Sequence, residues 1–195
     1  MITIVYAHPL EDGISAATRD ALVGHLCATK QPYSLINLHQ EGFNPVMTMD
    51  ERSSFFACTG ESGDPLVQRY QKTLRATDHL AFVFPIWFNE QPAIVKGFFE
   101  RVFLPGFGYA YTELGTTPLL THIKRLTVIT SSGAPTEMLT AVFDNMIERQ
   151  FIRHVVQTMI GTLAGSDASA WINIGPALPE NLDAHIAAVK ARFTL

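Results

Sequence analysis

Short apolar, β-branched runs recur along the chain at Ile2 to Ala7, Tyr33 to Leu38, Leu80 to Phe84, Leu126 to Thr130 and Ala170 to Ile174. Each has strand length, so five strands are predicted. The segments between them change to a helical period. Ile94, Val95, Phe98, Phe99, Val102 and Phe103 fall on one stripe, with Pro92 placed for a first turn. The same spacing predicts a helix through Met138, Leu139, Val142, Phe143, Met146 and Ile147, and another through Leu182, Ile186, Val189 and Phe193. A less sharply periodic helix is expected after Ser15, read as its N-cap. Strand and helix alternate throughout. That order predicts an α/β fold, a three-layer sandwich with a five-stranded parallel sheet and helices on both faces, because parallel strands need crossover connections. Two long connections, at about 39 to 64 and 104 to 124, carry Gly, Pro and aromatics and are expected to be functional. A helical stretch from Phe151 to Leu163 is read as an elaboration that dimerises.

Composition narrows the function classes. The 195 residues show no internal break, which predicts a single domain over 1–195. Hydrophobic residues make up 47% and charged residues 16%, so the chain can bury a sizeable core. The net charge is −4 and the basic residues are scattered, which argues against nucleic acid as a partner. No apolar run approaches the ~20 residues of a membrane span, so no membrane insertion is expected. The start of the chain, through Met1 and His8, lacks a basic leader and reads as a buried strand. Cys27 and Cys58 have no metal-ligand spacing and form no disulfide framework, so no metal is expected and a reducing, cytoplasmic location is.

In an open parallel sheet, ligands bind beyond the carboxyl ends of the strands where the order reverses. Three segments fall there. The first, His8 to Ser15, brings His8, Ile14 and Ser15 to a helix N-terminus that favours phosphate, although a histidine before a helix is as often a turn residue. The second, Pro85-Ile86-Trp87-Phe88-Asn89, offers a wall for a flat ring system, although such aromatics also serve as core. The third, Thr130-Ser131-Ser132-Gly133, supplies small hydroxyls and a backbone that a planar ligand can approach closely. No Walker pattern, G-x-G-x-x-G fingerprint or G-x-S-x-G elbow occurs, which argues against a nucleoside triphosphate, a Rossmann-bound nicotinamide and a hydrolase.

The run from Phe84 to Phe103, followed by Pro105-Gly106-Phe107-Gly108-Tyr109, resembles the flavodoxin-like NAD(P)H:quinone oxidoreductases; Ala7-His8 and Phe43-Asn44-Pro45 match as well. The resemblance implies a flavodoxin-like sheet in the order 2-1-3-4-5 and a non-covalent FAD or FMN. It also implies NADH or NADPH as donor, a quinone or related acceptor in a ping-pong cycle, and a homodimer with sites at its interface. By position, His8, Ile14 and Ser15 resemble the phosphate loop and Pro85 to Phe88 the flavin-ring loop. Thr130 to Gly133 resemble the pyrimidine-edge segment, while Tyr109 and Tyr111 resemble tyrosines that close over substrate from the partner subunit. With Trp87 and Phe88 they would bind substrate. The chain departs from the family where Thr-Thr-Gly-Gly is Thr130-Ser131-Ser132-Gly133 and Ser-Phe-Asn is Gly13-Ile14-Ser15, and where the Tyr and His after Gly133 have no counterpart. No side chain is therefore assigned a catalytic role. A second expectation is a flavin-binding regulatory or electron-transfer partner of another protein, such as an ion-efflux system.

Overall fold

The computed structural model describes residues 1–163 and 168–193. Five strands, β1 (Ile2–Tyr6), β2 (Tyr33–Asn37), β3 (His79–Pro85), β6 (Arg125–Ser131) and β7 (Ser169–Ile174), form one parallel sheet in the order β2-β1-β3-β6-β7. Setting aside the separate antiparallel hairpin of β4 (Tyr109–Thr112) and β5 (Gly115–Pro118), this is the predicted 2-1-3-4-5 order. The strand order reverses between β1 and β3, where Val5 pairs with Phe82.

Both faces of the sheet are covered, as a run of continuously apolar strands requires. Alternate residues part to opposite sides. Val5, Phe82, Phe84 and Val128 enter one core with α3 (Pro65–Arg75), α4 (Ala93–Val102) and a π-helical segment, Ile147–Val156, that runs into α6 (Gln157–Ile160). Ile4, Tyr6, Ala81, Val83 and Ile129 enter a smaller one with α1 (Ile14–Ala28) and α7 (Leu182–Phe193). Aromatic stacking concentrates on the first face, where Phe82 lies 5.5 Å from Phe99 and 5.3 Å from Phe151 between ring centroids. Fully buried phenylalanines of this kind each stabilise a fold by about 3–5 kcal/mol against truncation to alanine.

Four expectations change. The single helix through 138–147 is two elements: α5 (Thr136–Ala141) stops, Asp144 and Asn145 take positive φ of 62° and 51°, and the π-helical segment follows. Asp and Asn tolerate that conformation, and Val142, left 69% exposed, has no core to hold the stripe together. The long connection at 39 to 64 contains α2 (Met49–Ser54), started by a capping box between Thr48 and Glu51. The one at 104 to 124 contains the hairpin. Helix α3 was not anticipated, although Asp64 caps it, Pro65 opens it and Val67, Tyr70 and Leu74 are buried along one stripe.

The 39 to 64 connection is held down by charge. Arg101 on α4 is 3% exposed and donates Nη2 to Glu51 Oε1 at 2.6 Å and to Asp64 Oδ2 at 2.8 Å, and Nη1 to the Asn44 carbonyl at 2.6 Å. Gly97, one turn earlier, allows the contact, because a Cβ there would lie 2.2 Å from the Pro45 carbonyl oxygen.

Candidate active site at the strand ends

The three predicted loops meet where β1, β3 and β6 end. The first loop leads into α1, and its helix starts one turn-position differently from expectation. Gly13, at φ 93°, is the N-cap residue, and no side chain caps the helix. Ser15 lies inside the first turn, and its Oγ pairs at 3.0 Å with Ser131 Oγ of the third loop. Among the described residues, the N–H groups of Ile14, Ser15 and Ala16 have no partner, so a 15-residue helix presents its positive end with its donors unengaged. Glu11 anchors this loop: it accepts from Arg19 at 2.5 Å and from Asn37 Nδ2 at 3.1 Å, and those hydrogen bonds hold its carboxyl below the usual range. His8 Nδ1 accepts the Leu10 N–H at 3.1 Å, and the imidazole lies 6.3 Å from the Trp87 ring.

The second loop is a tight turn. Trp87 and Glu90 exchange backbone hydrogen bonds of 3.0 and 3.1 Å, and Phe88 and Asn89 between them have φ of 52° and 66°. Positive φ at both central positions is the geometry that favours Asn and Gly, so Phe88 sits where a bulky residue is strained. Its side chain is fully exposed and Trp87 is 43% exposed. Neither is core. Pro85 is buried and Ile86 half-buried, with the Ile86 N–H bonded to the Ser131 carbonyl at 2.7 Å, which ties the second loop to the third.

The third loop is fixed by side chains from β7. Thr130 donates to Asn173 Oδ1 at 2.7 Å and accepts from Trp171 Nε1 at 2.8 Å, while Asn173 Nδ2 reaches Ser132 Oγ at 3.0 Å. The N–H groups of Gly133 and Ala134 have no partner among the described residues, and a Cβ at Gly133 would meet nothing within 4 Å. Sequence reasoning missed Trp171 and Asn173. Their signal was the spacing of two, which puts Trp171 and Asn173 on one face of a strand.

One chain does not assemble all the expected residues. Tyr109 and Tyr111 stand on the β4–β5 hairpin and pack against each other, ring centroids 5.5 Å apart. Tyr109 lines a cavity of about 430 Å³ with Phe103, His154 and Met159, which none of the three loops touches. Burial and the neighbouring Tyr111 push the Tyr109 phenol up.

A 2-1-3-4-5 parallel sheet with these three loops gathered at its switch point is the flavodoxin-like arrangement of α/β proteins. The chain belongs to the Flavodoxin_2 family, described as having a flavodoxin-like fold, whose model matches residues 1–191. Among curated relatives it is similar to an Escherichia coli K12 protein named uncharacterized NAD(P)H oxidoreductase YcaK, 32% identical over 108 residues and 55% of each chain. It is also similar to rat NAD(P)H dehydrogenase (quinone) 1, 30% identical over 67% of this chain and 53% of that one. The chain thus spans about half the length of these relatives. Its fold superposes on an NAD(P)H:quinone oxidoreductase from Methanothermobacter marburgensis with a TM-score of 0.80, at 22% identity, over 97% of this chain and 95% of that one.

Proposed function

We propose that this protein is a flavin-dependent NAD(P)H dehydrogenase that reduces a quinone or a related acceptor by two electrons. The observation that carries the reading is the pair of unengaged donor sets, at Ile14 to Ala16 and at Gly133 and Ala134, on either side of the Trp87 turn. Bound FAD or FMN would supply the redox chemistry, taking hydride from NADH or NADPH and passing both electrons on. The chain's own residues bind and orient. The α1 N-terminus, with Ser15 and His8 beside it, holds the flavin phosphate. Pro85, Ile86, Trp87, Phe88 and Asn89 form the ring wall, and Thr130 to Gly133 hold the polar edge, where backbone donors stabilise developing negative charge. The strained, exposed Phe88 fits a ligand clamp better than a structural role. Tyr109 and Tyr111, absent from the crevice of one chain, would complete it from the second subunit of a homodimer. NAD(P)H and acceptor then use one stacking surface in alternation.

The names of the relatives support the nicotinamide and quinone chemistry, and a cytoplasmic setting suits an NAD(P)H-dependent enzyme. Among the described residues no helix is long and apolar enough to cross a membrane. The test is the visible spectrum of the purified protein mixed with FAD or FMN and then, anaerobically, with NADH or NADPH. The reading requires a bound flavin that bleaches and regains its colour on addition of a quinone. A flavin that binds but does not turn over would make the protein an electron-transfer or regulatory partner, and a failure to bind flavin would leave only the fold.

A further inference from the structure

The edge strand β7 carries a row of residues that faces the third loop. Trp171 and Asn173 alternate along it and Gly175 follows its end, and each meets residues 130 to 136 in a different way. Trp171 donates its indole N–H to Thr130 Oγ1 at 2.8 Å. Asn173 accepts from Thr130 at 2.7 Å and donates to Ser132 Oγ at 3.0 Å and Thr136 Oγ1 at 2.9 Å. Gly175 makes room, because a Cβ there would lie 2.2 Å from the Ala134 carbonyl oxygen and 2.5 Å from Ser132 Oγ.

These bonds have a direction. An indole nitrogen is only a donor. Thr130 must therefore accept from Trp171, and its single proton goes to the one remaining partner, Asn173 Oδ1. The Asn173 amide is then oriented with its NH2 group toward Ser132 and Thr136. Ser132, having accepted from Asn173, gives its own proton to the Ala134 carbonyl at 2.8 Å. The Ser131 carbonyl accepts from Ile86 N–H and the Ser132 carbonyl from Ala177 N–H, at 2.7 and 2.8 Å. Three of the four carbonyls from Ser131 to Ala134 are thus taken up, while the Gly133 and Ala134 N–H groups stay unengaged.

We propose that Asn173 is a positioning residue which, with its polarity set by Trp171, turns the 130–136 loop into a donor surface for an electron-rich ligand edge. The proposal rests on the flavin reading for the identity of that edge, but the loop's order and polarity do not. A neutral amide can do this where a charged side chain would impose its own field on the ligand.

Three variants test it. Asn173→Leu removes the amide at similar volume, Asn173→Asp keeps the acceptor for Thr130 but obliges Ser132 and Thr136 to donate instead, and Thr136→Val deletes one bond from outside the loop's ligand-facing residues. Two readouts are needed. In the flavin-free protein, amide hydrogen exchange at Ser132, Ala177 and Met138, whose N–H groups bond to the Ile174, Ser132 and Pro135 carbonyls, should rise about tenfold in Asn173→Leu, less in Thr136→Val and least in Asn173→Asp, as expected for the loss of one or two neutral hydrogen bonds. With FMN added, the dissociation constant should rise about tenfold in Asn173→Leu. Asn173→Asp should bind oxidised FMN nearly normally but lower its midpoint potential, since the reversed polarity and added charge oppose reduction. Exchange unchanged in both Asn173→Leu and Thr136→Val would overturn the proposal, and so would FMN affinity and potential unchanged in all three variants. If wild-type protein binds no FMN, the flavin reading fails by itself and the exchange series still decides whether Asn173 orders the loop. Should Asn173→Leu not fold, Thr136→Val and Asn173→Asp give the same comparison.

Discussion

Two polar assemblies hold irregular parts of this chain against its regular ones, and they differ in charge. The first joins Arg101 to Glu51, Asp64 and the Asn44 carbonyl and clamps the 39 to 64 connection onto α4. The second joins Trp171, Thr130, Asn173 and Ser132 and shapes the loop at the strand ends with neutral groups throughout. A buried ion pair such as Arg101–Glu51 has the larger consequence when broken, because the orphaned charge is left desolvated. A neutral chain costs less to interrupt, yet its donors and acceptors can be aimed without adding a field of their own. The charged assembly is thus suited to anchoring, the neutral one to a binding surface.

The sharpest break in that comparison is Arg101→Met. It leaves Glu51 buried without its partner, and the urea midpoint should fall by an amount equivalent to about 3 kcal/mol, against about 1 kcal/mol for Trp171→Phe. Equal losses would show that the charged cluster is effectively solvated. Acid sharpens the contrast. Burial would raise the Glu51 carboxyl, but hydrogen bonds from Arg101 and the Thr48 N–H outweigh it and hold the pKa below 4.5. Asp64 is likewise lowered, by the Leu66 N–H and Arg101 acting against burial. A depressed carboxylate contributes stability above its unfolded pKa and loses it as pH falls through the folded one. Stability should therefore decline below about pH 4.5 in the wild type, with a shallower slope in Arg101→Met.

His79 is a neutral group that must remain so. It is 1% exposed, stacks on Phe193 at 4.7 Å and meets Thr127 Oγ1 at 2.9 Å, and burial, followed by the nearby Arg125, depresses its pKa from 6.5 to about 3. A depressed histidine binds its proton more readily when unfolded, so its contribution is complete above about pH 6.5 and erodes as the pH drops toward 3. Denaturation at pH 7.5 and pH 5 should differ by about 2 kcal/mol from this residue, a difference that His79→Gln should abolish. Persistence of the full difference in that variant would assign it to other groups.

Smaller effects probe the site itself. Phe88→Gly relieves a positive φ and should stabilise the free protein by about 1 kcal/mol while raising KM for NAD(P)H. A stability gain with unchanged KM would remove Phe88 from the stacking wall. At the low end, Lys96→Ala breaks an exposed pair with Glu100 on α4, and thermal melting should register no more than about 0.5 kcal/mol.

Hydrophobic period was enough to place the five sheet strands, the stripe of α4 and the two-faced burial of the sheet, because a strand or helix declares its buried face in residues only two to four positions apart. The three strand-end loops were legible for a related reason: the ends of parallel strands lie on one side by construction. What local pattern does not contain is the partner of a polar side chain. Asn173 is an ordinary strand residue until β7 lies beside β6, Arg101 an ordinary helix cation until Glu51 and Asp64 are folded over it. Ser15 reads as a cap until Ser131, 116 positions away, takes its hydroxyl. The break in the helix expected over 138–147 belongs here too, since Val142 and Phe143 fit the stripe but find no core beneath them. Apolar burial is additive and non-directional, so a one-dimensional pattern records it. Hydrogen bonds and ion pairs are directional and pairwise, so the anchoring triad, the donor loop and the free helix terminus were decided only when distant segments met.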